Sequence, residues 1–222
     1  MKLTIKDIFQ TWFDNYKDED NSFRDANKVL YDFVEKHPSH TDKDFVVAKF
    51  WLIGRTYAAA AERCKKDDKK EFYYYHLAPG IKSKELDDKI KEIKRRYKTL
   101  SNDALYKVLE LHKYLVGMIK DITGKENISL ASKYLHFHLP NLVFIYDSRA
   151  SSVIGDFVKG KIFSKDLEGK EFDITYAKFA YKAFEIYKEL KNINFSSNYG
   201  DTLPRVIDNL LLRYEHIKKL NG

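Results

Sequence analysis

Apolar residues recur along this chain every three or four positions, the spacing of helices that turn one face to a core. In SNDALYKVLELHKYLVGMIKDITG, residues 101–124, the stripe is Leu105, Val108, Leu109, Leu115 and Ile119. Ser101 or Asn102 can cap this helix, and Gly124 can end it. DITYAKFAYKAFEIYKELK carries Tyr176, Phe179, Ala180, Ala183, Phe184, Tyr187 and Leu190 on one face. SFRDANKVLYDFVEKH reads as another helix, with apolar residues at Phe23, Val29, Leu30 and Phe33 and Pro38 just beyond. TDKDFVVAKFWLIGRTYAAAAERC opens on a capping Thr41 and predicts a buried helix from Val46 to Ala61. TLPRVIDNLLLRYEHIKK is a closing helix with Pro204 in its first turn. The expectation is eight or so helices with short connections, and a turn at Pro79-Gly80.

One segment breaks the helical rhythm. ASKYLHFHLPNLVFIYD, residues 131–147, joins a short helix over 129–138 to a proline, an apolar run and a single carboxylate. Asn127 or Ser129 can cap the helix, and Pro140 disfavours helical geometry at Leu139. LVFIY is then extended or a short strand, and SRASSVIGDFV reads as a new helix. Asp147 therefore falls at a helix N-terminus, where free backbone N–H groups favour a carboxylate in its charged form. On composition alone, an ordinary N-cap is the simpler account of it.

Composition narrows the class. The chain has 222 residues, 44% hydrophobic and 15% aromatic, enough for a core as one large domain or two small lobes. Only 9 Gly and 4 Pro argue against a β-sandwich, and the whole reads as all-α. The single cysteine, Cys64, excludes an internal disulfide framework and a cysteine-based zinc site, and fits a reducing cytoplasm. The N-terminus lacks the apolar core of a signal peptide, and no run approaches the ~20 apolar residues of a membrane span.

Net charge is +7, and it is uneven. From Arg63 to Lys98 there are 13 Lys or Arg against 7 Asp or Glu. Such a stripe suggests a polyanionic partner, although a solvated helix face gives the same pattern. His136 and His138 lie two apart and point to different sides of a helix, poor geometry for a shared metal, and none is expected. Tyr73, Tyr74 and Tyr75 read either as a stacking surface or as core.

The 131–147 segment resembles the helix–hairpin–helix DNA glycosylase superfamily. Ala131, Ser132, Tyr134 and Leu135 occupy that family's helix pattern, and Asp147 matches its catalytic aspartate. FWLIGRTYAAAAER is similar to the early buried helix that lines the base pocket, and PRVIDNLLLRYEH to the closing helix. The resemblance implies an all-α, two-lobed domain over 1–222, with lobes of roughly 1–40 plus 150–222 and 41–149. It implies a flipped base among Trp51, Arg55, Thr56, Tyr57, Ser129, Lys133, His136 and Tyr146. It also implies DNA held by Gly124, Lys125, Arg149, Lys94, Arg95 and Arg96.

Two departures shape the expected chemistry. Ser129 stands where bifunctional members carry a lysine nucleophile, so the resemblance implies base removal by water without strand cleavage. Lys133, one turn later, is placed for phosphate or as a displaced amine. TGKEN keeps only Gly124 of the family's hairpin glycines. The implied protein is a monomeric, cofactor-free, monofunctional glycosylase on DNA, cytoplasmic or nucleoid-associated. The alternatives are a non-catalytic nucleic-acid-binding protein of that fold and a helical protein-interaction module.

Overall fold

A computed structural model of the chain describes residues 5–16, 22–59, 61, 71–158, 172–193 and 202–220. Cys64, Ala60 and the basic residues from Arg63 to Lys70 lie outside the described residues. Those described form ten α-helices and one π-helical turn, and none is in a strand. The helices are α1 (Ile5–Tyr16), α2 (Ser22–Lys36), α3 (Lys43–Thr56), α4 (Ala78–Ile81) and α5 (Lys84–Arg96). They continue with α6 (Asn102–Thr123), α7 (Ile128–His138), α8 (Ser148–Phe157), α9 (Ile174–Leu190) and α10 (Leu203–Leu220). Among the described residues, no helix is long and apolar enough to cross a membrane.

Local sequence sets most of the boundaries. Ser101 Oγ accepts from the Ala104 amide and starts α6. Gly124 ends α6 at φ 75°, where only glycine avoids a Cβ penalty. Asn127 starts α7 and Asp147 starts α8. The cap of α3 is Asp42, whose carboxylate accepts from the Asp44 and Phe45 amides, one residue beyond the Thr41 expected.

Helices α8, α9 and α10 pack on one another, with α1 against α9. Helix α6 packs on α4, α5 and α7, and also on α9, which joins the two groups. The sequence reading grouped α2 with α8–α10; it packs on α3 and α7. One continuous apolar cluster runs through the described chain, with Phe50 stacked on Tyr134 at 3.9 Å.

Three expectations are corrected. The buried helix predicted to reach Ala61 stops at Thr56. Ala58 takes φ 52°, and the Ala59 amide donates back to Gly54 O at 2.8 Å, the pattern of a Schellman end. Pro79-Gly80 sits inside α4 rather than in a turn, and a Cβ on Gly80 would meet Ile122 of α6 at 2.6 Å. The three tyrosines begin the π-helical turn Tyr73–Leu77. Tyr73 is buried, whereas Tyr74 and Tyr75 are exposed, with Lys43 Nζ 3.4 Å from the centre of the Tyr74 ring.

Leu142 lies in a turn, and Val143 to Tyr146 are then extended with no strand partner among the described residues. Four of their backbone groups are met by side chains instead, while the Leu142 and Val143 amides donate back to Leu139 O. His136 Nδ1 donates to Val143 O at 2.8 Å and the Tyr176 hydroxyl to Phe144 O at 2.9 Å. Ser132 Oγ accepts from the Tyr146 amide at 2.9 Å, and Ser129 Oγ donates to Tyr146 O at 3.2 Å.

A second polar cluster ties the α2–α3 connection to α5 and α7. Asp87 on α5 binds the His40 amide and ring, and His40 Nε2 accepts from the Tyr134 hydroxyl at 2.7 Å. The fully buried Lys49 donates to the carbonyls of His37 and Ser39. Burial lowers the Lys49 amine to about 8.

Candidate functional site around Asp147 and Lys133

Asp147 is held by the end of the extended run and by the first turn of α8. Its Oδ1 accepts from the Arg149 amide at 3.0 Å, so one oxygen caps the helix. Its Oδ2 lies 3.4 Å from Lys133 Nζ. The Lys133 side chain is only 4% exposed and that of Asp147 27%, so the carboxylate is the member open to solvent.

Lys133 projects from the middle of α7. Helical side chains lean toward the N-terminus, and this one reaches back a full turn. Its ammonium donates to Ser129 Oγ at 2.9 Å and to Tyr57 O at 3.2 Å, as well as facing Asp147. The carbonyl of Tyr57 is available because α3 ends there, at the Ala58 reversal.

Tyr57 is the third wall. Its hydroxyl donates to Asn27 Oδ1 at 2.5 Å, its ring meets Phe137 edge-on, and the Arg205 guanidinium lies 5.2 Å from its centre. Arg205 in turn pairs with Asp208 at 2.7 Å, both on α10 and both buried. Asp208 Oδ1 is buried with no hydrogen-bond partner. Burial pushes the Asp208 carboxyl up to about 6, opposed by Arg205 and Lys133 and reinforced by Asp147. The site thus joins α3, α7, α8 and α10.

The other expected positions fall into three groups. Ser129 lies in the site, and Tyr146 packs its ring edge-on to Phe179 at 5.4 Å. His136 lies behind it, fully buried, with Nδ1 on Val143 O and Nε2 accepting from the Tyr31 hydroxyl at 2.6 Å. Burial lowers its ring to about 3. No ring nitrogen is left for a ligand, so its role is to hold the extended run.

Trp51 is exposed on α3 with the Arg55 guanidinium 5.7 Å from its ring, and Thr56 is half-buried at the helix end. Arg149 is half-exposed and already engaged, donating Nε and Nη2 to Glu215 Oε2 at 2.9 and 2.8 Å. Gly124 and Lys125 form the α6–α7 turn, held by Thr123 Oγ1. Lys94, Arg95 and Arg96 form the exposed last turn of α5, away from α8.

Sequence reasoning did not pick out Arg205 or Asn27 as site residues, and Asp208 entered only through the resemblance of PRVIDNLLLRYEH to the family's closing helix, whose Asp packs near the site. The signal for the Arg205–Asp208 pair was present: opposite charges three apart inside the apolar stretch PRVIDNLLL form an inward-facing helix pair. Among the described residues, no group of three or more His, Cys, Asp or Glu is placed to hold a metal ion. Comparison of the chain with protein-family models, with curated proteins and with solved structures gives no match.

Proposed function

We propose that the chain is a monofunctional DNA N-glycosylase-like protein that hydrolyses the bond between sugar and base at a modified or damaged nucleotide flipped out of DNA. One observation carries the reading. A partly exposed carboxylate stands at a helix start, fixed by a backbone amide on one oxygen and facing a buried ammonium with the other. Scission of the glycosidic bond builds positive charge on the sugar. A preorganised carboxylate stabilises that charge and orients the incoming water. Water adds to the sugar carbon, the base departs with the bonding pair, and the displaced proton neutralises it. The Lys133 ammonium, itself held by Ser129 Oγ and the Tyr57 carbonyl, faces the carboxylate, and the Tyr57 ring is the aromatic beside that ammonium.

A second reading has its own support. Lys133 Nζ lies 2.9 Å from the hydroxyl of Ser129, the position that matches the family's nucleophile. An amine there could attack the sugar carbon itself and carry the reaction on to strand cleavage.

The test is a panel of duplexes bearing different altered bases, assayed for abasic sites and for borohydride-trapped covalent adducts. Abasic sites without adducts, lost in Asp147→Asn, support hydrolysis. Trapped adducts lost in Lys133→Gln support the amine. Salt-dependent duplex binding with no base release across a broad panel would leave a binding protein. Absence of both would leave a helical interaction module.

A further inference from the structure

A cleft with a volume of about 790 Å³ lies away from Asp147, between α2 and α5 and above the α7–Pro140 turn. That is within the roughly 300–1,000 Å³ range of small-molecule sites. Its two walls carry opposite charge. Helix α5 and the residues after it present Lys91, Lys94 and Lys98. Helix α2 presents Asp25, Asp32 and Glu35 against a single Lys28. These walls do not neutralise each other. Among the described residues, Lys91 and Lys94 make no ion pair, nor do Asp32 and Glu35, while Lys98 donates to the Lys94 carbonyl at 3.0 Å.

Between the walls lie the rings of Tyr31 and Tyr97 and the end of α7. There His138 is 4% exposed, and its Nε2 is buried with no partner. The ring is locked by stacking on His40 at 5.1 Å and by contact with Tyr134 at 5.0 Å.

We infer that this cleft binds a nucleotide whose base carries an exocyclic amino group. Lysines on α5 suit the phosphate as mobile point charges. Carboxylates on α2 accept hydrogen bonds and donate none, so they favour amino-bearing bases over those with a carbonyl at the same edge. Tyrosine rings between the walls suit a flat base. The ligand is thus a molecule with an anionic end and a donor-rich aromatic end. The inference stands apart from the glycosylase reading, since it uses none of the residues around Asp147.

The experiment is calorimetric titration of the full chain at low salt with GMP, IMP, CMP, UMP and inorganic phosphate. GMP should bind with one-to-one stoichiometry, about tenfold tighter than IMP, which lacks only the 2-amino group. CMP should likewise exceed UMP, and inorganic phosphate should bind more weakly than either GMP or CMP. Lys91→Ala with Lys94→Ala should weaken GMP by about tenfold or more. Asp32→Asn with Glu35→Gln should abolish the preference for GMP over IMP. All four substitutions are at exposed positions, so loss of fold does not mimic the result. A trinucleotide binding as tightly as GMP assigns the site to a nucleotide within a strand, and weaker binding assigns it to a free nucleotide. The inference is overturned if no nucleotide gives saturable binding, or if binding survives the lysine pair and is lost in Asp147→Asn.

Discussion

Lys133 and Asp147 come from separate helices, yet their charged atoms lie 3.4 Å apart, one buried and the other at the surface. A pair so arranged should be energetically coupled. A double-mutant cycle of Lys133→Met and Asp147→Asn, read by chemical denaturation, should give a coupling of about 1 kcal/mol or more. Simple additivity would mean that the two do not interact in solution.

Asp147 also has a purely structural duty, and substitutions can separate the two. Asparagine caps helices as well as aspartate, so Asp147→Asn should cost only the ion pair with Lys133, about 1 kcal/mol, while removing the charge. Asp147→Ala should cost about 1 kcal/mol more, because it loses the cap as well. If Asp147→Asn loses as much stability as Asp147→Ala, the charge rather than the cap holds α8, and the activity test must be read through unfolding.

Ala58 occupies a backbone conformation that L-residues with a Cβ resist, at the point where α3 releases the Tyr57 carbonyl toward Lys133. Ala58→Gly should stabilise the protein by about 1 kcal/mol, and Ala58→Val should destabilise it. A destabilised glycine variant would show that the chain does not reverse at this residue.

Acid should unfold the protein from a surprisingly mild pH. Burial lowers His40 to about 4 and both His112 and His136 to about 3, and it holds His138 well below the ordinary imidazole value. In each case the unfolded chain takes up a proton that the folded one refuses. The stability these groups contribute is complete above pH 6.5 and is withdrawn as pH falls toward 4. His40, lowered from 6.5 to about 4, withdraws on the order of 3 kcal/mol at full effect, and His112 and His136, lowered to about 3, withdraw more. Melting temperature followed from pH 7 to 4 should fall steeply, and a flat profile would contradict the burial of these rings.

Asp208 works in the opposite sense. Its folded carboxyl is raised to about 6, so the folded state holds a proton that the unfolded state has lost. Its contribution is greatest below about pH 4 and declines as pH rises through 6. Asp208→Asn should therefore improve relative to the parent as pH is raised from 4 to 7, measured as the difference between the two melting curves. A difference independent of pH would place the Asp208 carboxyl in contact with water.

Helix ends governed by local chemistry were readable from the chain: Ser101, Gly124, Asn127 and Asp147 each satisfy or release backbone groups within a few residues. The end of α3 was not. An alanine run is a strong helix former, and nothing local stops it at Thr56; the reversal at Ala58 is imposed by packing. The candidate carboxylate was legible because a lone acid after an apolar run is conspicuous. Tyr57 and Lys133 were legible only as members of a group, since their meeting depends on where α3 and α7 cross. Arg205 and Asp208 were legible as opposite charges three apart in an apolar stretch, but their approach to Tyr57 and Lys133 depends on where α10 packs.

The extended run from Val143 to Tyr146 has no neighbouring strand among the described residues, and three of its carbonyls and one amide are gripped by side chains of α7 and α9. That makes α7 and Asp147 a single rigid casting. Any movement of α7, for instance on engaging a partner at its C-terminal end near His138, carries the carboxylate and the amine together and preserves the gap between them. Reactivity would then be regulated through what approaches the pair, with the spacing inside it left constant.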